Sequence, residues 1–503
     1  MDEKVLDIAT EIKEKIVIEE QRSVVDSSSS NEDVQAKAFS QKLSLVFASI
    51  ALGSDGYLAN VISAVNSCLE KIYGDSYDST MSTRVSNAML IGDIVGQVGF
   101  GLIIDRLGRK FGIVLYCHCH AGNGVALSTA SSGLNPLGPL WMLVISRGLT
   151  GVGVGGEYPC SSVSAGEAAE ESGRSRGFWL IVSGNFIIDV GFAVGTIVPV
   201  ILLAICGEDA LEVVWRLSLG LGLVLPASVL YFRLKMLNSD MYRREALRRN
   251  IPYGLIIKKY WRNLLVTGFI WFLYDFVSYS FGIFSDTILS LANPSGSLLS
   301  TFEWNIVLNV FYPFGAITGA FLVDPLGRKT TMASGFFIQA GLGIIIGALA
   351  PQLAGIFPLF VILYGFFLFF GEMGPGDCTI LISAEMYPTA IRGTMYGLSA
   401  ALGKAGAAVG TQVFKPILAA LEDRTGDVLK AQGYIFIIGP CISILGGILI
   451  VLFVVPQMNK QQMAHQDTEF RQYLKENGYD ISQLGIHASA DQIVEKETVT
   501  HKQ

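Results

Sequence analysis

Several ionisable side chains lie inside apolar stretches of this chain. Asp55, Glu157, Asp275 and Lys404 each sit in a long run of glycine, aliphatic and aromatic residues. A charged group near the centre of a lipid bilayer costs about 2.5 to 3.5 kcal/mol on insertion scales, so each one needs a partner or a water-filled cavity. Carboxyls exchange protons and an ammonium attracts anions. These four residues are therefore candidates for handling protons and an anionic solute.

One apolar segment carries a polar stripe. Trp271, Asp275 and Tyr279 are spaced four residues apart, which places an aromatic ring, an acid and a phenol on the same face of a helix. A stripe of aromatic side chains alone would indicate helix packing. With an aspartate at its centre, the stripe favours the wall of a polar cavity.

Lys404 has two interpretations. It lies in a small-residue stretch from Gly397 to Gly410, where helices can approach closely or leave room for a ligand. It either forms an ion pair with Asp275 that only neutralises both charges, or attracts an anionic substrate while nearby aspartates exchange protons. A phosphate-binding Walker loop is excluded, because five residues separate Gly397 from Gly403 and Ala405 replaces the required Ser or Thr.

A glycine-rich segment follows Arg147, with glycines at 151, 153, 155 and 156. Glycines allow helix backbones to approach, so the pattern favours a packing face over a cofactor site. Arg147 is a candidate to orient Glu157 or another acid.

The sequence predicts no metal site. Cys117, His118, Cys119 and His120 are contiguous, but successive residues on a helix point about 100° apart and no second cluster completes a site. We expect no catalytic residues, no metal and no cofactor, with the proton as the only coupling ion.

The composition is that of a polytopic membrane protein. Of the 503 residues, 51% are hydrophobic and 16% are charged, and the mean hydropathy is +0.48. A span needs roughly 20 apolar residues. The hydropathy pattern predicts an all-α fold with twelve spans, at approximately 43–67, 83–105, 111–131, 139–163, 177–205, 213–233, 262–291, 303–323, 331–350, 355–377, 394–420 and 433–455.

The basic residues predict the topology. Lys and Arg are concentrated in a central loop at 234–261 and in alternate short turns, which places both termini and this loop in the cytosol. A lipid-binding or nucleic-acid-binding patch is the weaker interpretation of the loop, and no nucleic-acid partner is expected. The predicted parts are a cytosolic tail at 1–42, six-helix bundles at 43–233 and 262–455 joined by the loop, and a cytosolic tail at 456–503. Both tails are polar and are expected to be mobile.

The two bundles are related by an internal duplication. The turn from Asp105 to Lys110 reads DRLGRK, and 219 residues later the turn from Asp324 to Lys329 reads DPLGRK. Asp55 and Asp275 occupy matching positions, as do Asn185 and Lys404 within one residue. Two parallel repeats around a central cavity resemble the major facilitator superfamily. The resemblance implies gating or conformational roles for the charged-turn residues and for Arg147; the turn residues are Asp105, Arg106, Arg109, Asp324 and Arg328.

Three further motifs resemble the phosphate:proton symporter branch of that superfamily. They are GGEYP at Gly155 to Pro159, the stripe from Trp271 to Tyr279, and GKAG at Gly403 to Gly406. The resemblance implies that Lys404 and Asp275 hold a phosphate group. It further implies that Tyr158, Trp271 and Tyr279 line the site, and that Asp55, Glu157 and Asp275 carry protons. The chain departs from the pattern at Glu157, which replaces an aspartate, at Cys160, and at a glutamine for which Asn185 is the nearest candidate.

Within this branch, the chain looks like the fungal glycerophosphoinositol and glycerophosphocholine permeases. The matching stretches are TRVSNA from Thr83, GEYP from Gly156, WFLYDFV from Trp271, GPGD from Gly374 and RGTMYGLSA from Arg392. The resemblance implies proton-driven uptake of an anionic glycerophosphodiester across the plasma membrane by a monomer, with Asn185, Glu372 and Asp377 as candidates for contacts with the head group. An inorganic phosphate:proton symporter is the alternative, and a phosphate-nutrient sensor that does not transport is a second one.

Overall fold

The structure is a computed structural model that describes residues 49–50, 52–107, 123–162, 176–224, 227–228, 251–454 and 460–481. Several predicted features lie outside these residues: the N-terminal tail at 1–42, most of the third span at 111–131, the Cys117 to His120 stretch, Arg109, and most of the predicted central loop.

Helices make up nearly all of the described chain. In the first half they are α1 (Ile62–Tyr73, preceded by helical residues 52–60), α2 (Ser79–Leu107), α3 (Val125–Thr129), α4 (Leu137–Ser162), α5 (Gly177–Cys206) and α6 (Leu211–Leu221). In the second half they are α7 (Tyr253–Ile283), α8 (Leu298–Leu326), α9 (Arg328–Ala348), α10 (Phe357–Glu385), α11 (Arg392–Thr425) and α12 (Val428–Phe453), followed by α13 (Lys460–Glu476). A short helix, Ser285–Ala292, follows α7 after a break at Phe284.

Each of the twelve predicted spans overlaps one of the helices α1 to α12. Among the described residues, eight helices are long and apolar enough to cross a membrane: α2, α4, α5, α7, α8, α9, α10 and α12. Large apolar side chains such as Ile145, Ile205 and Leu452 are exposed on the outer surface. Ionisable side chains are instead buried between the helices, as expected for a protein whose solvent is lipid.

Close backbone contacts hold the bundle together. Helix α2 packs against α4 in its own half and against α11 of the other half, and α7 packs against α11 and α12. A Cβ atom at Gly155 of α4 would lie 2.2 Å from the carbonyl oxygen of Asp93 on α2, and one at Gly406 of α11 would lie 2.1 Å from that of Phe272 on α7. The glycine-rich segment after Arg147 is thus a packing face, as predicted.

Three of the long helices contain a π-helical turn within the described residues. These turns are Tyr158–Ser162 in α4, Val182–Phe186 in α5 and Glu372–Gly376 in α10. A π turn inserts extra backbone and rotates the residues that follow it relative to those before. Each of the three turns contains a residue that lines the central cavity described below.

The expectation of a mobile tail after the last span is wrong for part of that tail. Helix α13 packs under the second half, with Phe470 and Leu474 fully buried. The Asp467 carboxylate accepts hydrogen bonds from the Thr389 backbone N–H at 2.7 Å and hydroxyl at 2.9 Å. Lys259 forms an ion pair with Glu469 at 2.9 Å. This docking explains why α7 begins at Tyr253, nine residues before the predicted span.

Candidate functional site

A cavity lies between the two halves at the centre of the bundle. Its empty volume is about 360 Å³. Helices of both halves line it: α4, α5, α7, α10 and α11. The lining side chains combine one cation, three acids, several phenols and an amide; the polar ones are Tyr158, Asn185, Asp189, Tyr274, Asp275, Ser278, Tyr279, Glu372, Thr379 and Lys404.

Lys404 and the predicted stripe on α7 meet in this cavity. The Lys404 ammonium lies 3.1 Å from an Asp275 carboxylate oxygen and 2.5 Å from the Tyr279 hydroxyl. It also lies 4.0 Å from the ring centroid of Tyr279 and 5.1 Å from that of Tyr158. Lys404 is 3% exposed and Asp275 1%. The ion pair of the first interpretation is present, but it lines a cavity, which is the condition that the anion-binding interpretation requires.

A second hydrogen-bond network also reaches the cavity. The amide nitrogen of Asn185 donates to Glu372 at 3.0 Å and to Asp377 at 2.9 Å. The hydroxyl of Tyr274 donates to the other oxygen of Glu372. Asp189, one turn after Asn185 on α5, is 1% exposed and lines the cavity beside this network. We call Asn185, Asp189, Tyr274, Glu372 and Asp377 the acidic network.

Most of the predicted substrate-binding residues are brought together. Tyr158, Asn185, Trp271, Asp275, Tyr279 and Lys404 all line the cavity. Asp377 does not line it, and contacts it only through Asn185. Their roles in binding stay predictions.

The other predicted proton carriers lie behind the cavity wall. Asp55 and Glu157 are fully buried, and neither lines the cavity. Glu157 accepts a hydrogen bond from the hydroxyl of Ser161, one turn further along α4. A proton passing between either acid and the cavity would have to cross a neighbouring side chain such as Tyr158.

The predicted gating residues form two different contacts. Asp105 at the end of α2 accepts hydrogen bonds from the backbone N–H groups of Gly393 at 3.2 Å and Thr394 at 2.6 Å, so it caps the first turn of α11 across the two halves. Its repeat counterpart, Asp324, instead forms an ion pair with Arg328 at 2.9 Å within the second half. Arg328 also pairs with Glu385 at 3.1 Å. Arg106 lies in the last turn of α2.

The candidate partner of Arg147 is not Glu157. Arg147 donates a hydrogen bond at 3.1 Å to the carbonyl oxygen of Val85 on α2, and lies 3.6 Å from the sulfur of Met89. The acid it acts on electrostatically is Asp93, also on α2. Ten residues of helix place Arg147 and Glu157 almost three turns apart, which explains why they do not meet.

Hydrogen bonds join the two halves on either side of the cavity. At the charged-turn side, defined by Asp105 and Arg328, the Asp105 cap joins α2 to α11. At the opposite side, Asn60 of α1 bonds to Asn309 of α8 at 2.7 Å, and Asn87 of α2 bonds to Gln412 of α11 at 3.0 Å. Hydrogen bonds between the two halves therefore lie on both sides of the cavity.

Comparison with known proteins identifies the family. The model of the "Sugar (and other) transporter" family matches residues 42–250 and 239–470, nearly the whole membrane part. The chain belongs to this transporter family. A proton:xylose symporter of the major facilitator superfamily has the same fold, with a TM-score of 0.67 at 18% identity over 84% of this chain and 97% of that one. The protein is thus a multi-pass membrane transporter and not an enzyme.

Named relatives of the transporter include phosphodiester permeases. Glycerophosphoinositol permease 1 of Candida albicans is 41% identical over 87% of this chain and 82% of its own length. A glycerophosphocholine permease of the same yeast is 38% identical over 93% of this chain and 89% of its own length. A probable inorganic phosphate transporter of rice is more distant, at 26% identity over 84% of this chain and 91% of its own length. The resemblance to the fungal permeases is confirmed.

Four polar cavity residues of the transporter were not predicted as site residues: Asp189, Tyr274, Ser278 and Thr379. Asp189 and Tyr274 line the cavity, and Glu372, expected only as a weak head-group contact, lies at the centre of the acidic network. The spacing of Asn185 and Asp189 on one helical face was the available signal for Asp189. Tyr274 adjoins Asp275 in sequence, so a simple helical face would place the two side chains about 100° apart.

Proposed function

We propose that the protein takes up glycerophosphodiesters across the plasma membrane by proton-coupled alternating access. The observation that carries the proposal is a buried lysine, Lys404, that lines a cavity with Asp275 between the two halves. The two Candida albicans relatives are named glycerophosphoinositol and glycerophosphocholine permeases, and a phosphodiester has one fixed negative charge for this ammonium. The cavity lining extends from Lys404 to Asn185, Asp189 and Glu372 of the acidic network, so a head group attached to a phosphate at Lys404 would lie beside that network.

The Lys404 contacts support proton coupling. The Asp275 carboxylate is paired with the Lys404 ammonium. An arriving phosphodiester and this carboxylate therefore compete for the same positive charge. A proton on Asp275 removes this competition and frees Lys404 for the substrate. Substrate and proton then bind together, which is the condition for symport.

The same scheme sets the orientation. Basic residues favour the cytosol, so the charged-turn side faces inward and both termini are cytosolic. The Asp105 cap would then be the inner closure, and the Asn60 and Asn87 contacts the outer one. Rocking of the halves breaks one set while the other holds.

Uptake of radiolabelled glycerophosphoinositol into vesicles reconstituted with the purified protein tests the proposal. We expect accumulation when the outside is acidic, and its loss when a protonophore is added. Lys404→Ala should lower uptake at least about a hundredfold, because it removes the anion-binding charge and leaves a buried carboxylate unpaired. Lys430→Ala, which removes an exposed lysine of the same charge, is the matched control. Unchanged uptake in Lys404→Ala would contradict the proposed binding role.

Inorganic phosphate is the alternative substrate. Lys404, Asp275 and Tyr279 would suit a phosphate group on its own, but the acidic network would then have no ligand. Competition separates the two cases. If excess inorganic phosphate displaces labelled glycerophosphoinositol more effectively than unlabelled glycerophosphoinositol does, the alternative is correct.

A further inference from the structure

In the acidic network, every side-chain hydrogen-bond donor of Asn185 and Tyr274 is bonded to one of two acids, Glu372 or Asp377. The Asn185 amide nitrogen donates to both Glu372 and Asp377, and the Tyr274 hydroxyl donates to Glu372. Asp189 receives none of these hydrogen bonds. Within the described part of the chain, neither of its carboxyl oxygens has a hydrogen-bond partner.

Asp189 is nonetheless closed off from bulk solvent. It is 1% exposed and lines the cavity together with Asn185, Ile188 and Phe192, which share one face of α5. A buried oxygen without a donor is costly, and replacing that missing donor is favourable. The donor has to come from what occupies the cavity.

Lys404, the cation among the residues that line this cavity, already has partners. Lys404 is held by Asp275 and Tyr279, and the proposed function gives it to the phosphodiester. Asp189 therefore faces the part of a substrate that is not phosphate. A polyol head group presents several hydroxyls, which donate to a carboxylate and accept from a protonated carboxyl. A trimethylammonium group presents neither a donor nor an acceptor.

We infer that Asp189 and the adjoining acidic network form a subsite for a hydroxyl-rich head group, and that Asp189 makes the transporter select polyol phosphodiesters over choline phosphodiesters. This inference rests on the proposed function and adds the substrate class. Asp189 acts by direct hydrogen bonds to substrate hydroxyls. Glu372 and Asp377, already bonded to Asn185, hold the amide in place.

The probes are two phosphodiesters that differ only in the head group. Unlabelled glycerophosphoinositol and glycerophosphocholine are titrated against labelled glycerophosphoinositol uptake in reconstituted vesicles, and the ratio of their inhibition constants is the readout. In the wild type, glycerophosphoinositol is the stronger inhibitor. Asp189→Ala should weaken glycerophosphoinositol about tenfold and change glycerophosphocholine little, because only the polyol loses hydrogen bonds.

Two further variants protect the test against misfolding. Asp189→Asn keeps one carbonyl acceptor, so its ratio should lie between those of the wild type and Asp189→Ala. Asp286→Asn alters an equally buried acid that bonds to Asn305 and lines no described cavity, so its ratio should equal that of the wild type. Both proteins are compared at equal amounts in the vesicle membrane.

Each other outcome overturns the inference. If glycerophosphocholine is weakened as much as or more than glycerophosphoinositol, Asp189 supports the cavity shape or binds the cationic head group. If neither constant changes, Asp189 does not contact the substrate. These results leave the proposed function intact, whereas wild-type vesicles that take up no glycerophosphodiester would refute that function itself.

Discussion

At the scale of single residues, the site depends on one cation shared among competing oxygens. Lys404 contacts Asp275 at 3.1 Å and Tyr279 at 2.5 Å, so two of its three N–H groups are occupied before a substrate arrives. The remaining N–H group can donate a first hydrogen bond to a phosphodiester. Full binding requires Asp275 to release the Lys404 ammonium. Under the proposed function, this competition makes Asp275 the residue that couples proton binding to substrate binding.

Asp275→Asn tests the proposed role of Asp275 in proton coupling. The amide carries no charge, so Lys404 is free at every pH, and substrate binding should lose its pH dependence. We expect wild-type affinity for glycerophosphoinositol to rise as the pH falls, since protonation of Asp275 releases Lys404. Equilibrium binding to the purified protein across a pH series measures both slopes.

The control is Asp423→Asn, which removes an exposed acid from α11 and should keep the wild-type slope. A slope in Asp275→Asn equal to that of the wild type would assign coupling to another acid.

At the scale of helices, the sequence predicted where the chain crosses the membrane but not how each helix turns. Apolar runs predicted twelve segments, and eight helices among the described residues are long and apolar enough to cross a membrane. Hydropathy depends only on composition. The three π turns have no such signal, since one inserted residue changes rotation and leaves composition unaltered. Tyr158, Asn185 and Glu372 of these turns line the cavity, and they were predicted from the family resemblance, whereas the rotation of their helices could not be predicted from helical spacing.

Helix α13 was missed for a different reason. Its apolar residues Phe470, Tyr473 and Leu474 follow a helical spacing, but the charged residues between them make the whole segment read as a polar tail. Only the partner surface, formed by the start of α7 and the loop before α11, shows that the apolar face is buried.

Removing one of these side chains should release the helix. Phe470 packs against Tyr260 with ring centroids 6.1 Å apart. Phe470→Ala should cost about 3 kcal/mol of local stability, as for other buried Phe to Ala changes. Hydrogen–deuterium exchange of the peptide covering 460–476 should then become faster, because a helix with few other contacts opens more often.

Gln472→Ala is the matched change on the exposed face of α13 and should leave the exchange rate near that of the wild type. Equal protection in Phe470→Ala and the wild type would show that the ion pair and the Asp467 bonds are sufficient to hold the helix.

At the scale of the whole molecule, two sets of hydrogen bonds between the halves lie on opposite sides of the cavity. The Asp105 cap closes the charged-turn side, and the Asn60 and Asn87 contacts close the opposite side. A smaller cavity of about 250 Å³ lies between the central cavity and the Asn60 contact, and shares Phe192, Ser278 and Tyr279 with it. The side toward Asn60 therefore already contains the beginning of an entry path.

Weakening either closure should open the molecule on that side alone. A cysteine replacing Ser278, in a chain without its native cysteines, reports access through its rate of labelling by a membrane-impermeant thiol reagent. Asp105→Ala removes hydrogen bonds to a charged group and should raise labelling from the charged-turn side about tenfold. Asn60→Ala removes neutral hydrogen bonds and should raise labelling from the opposite side by a smaller factor.

Each variant is the control for the other. If Asp105→Ala and Asn60→Ala both raised labelling from the same side, the two sets of contacts would not alternate. The present arrangement of the two halves would then not be an intermediate of transport.

The match between one lysine and one phosphodiester charge has an electrical consequence. Under the proposed scheme a monoanion travels with one proton, so each cycle moves no net charge and the membrane voltage neither drives nor opposes it. A substrate with a second negative charge would travel against the inside-negative potential of a living cell unless another acid in the cavity contributed a second proton. The transporter would thereby favour singly charged nutrients through energetics alone, independently of how well a doubly charged one fits.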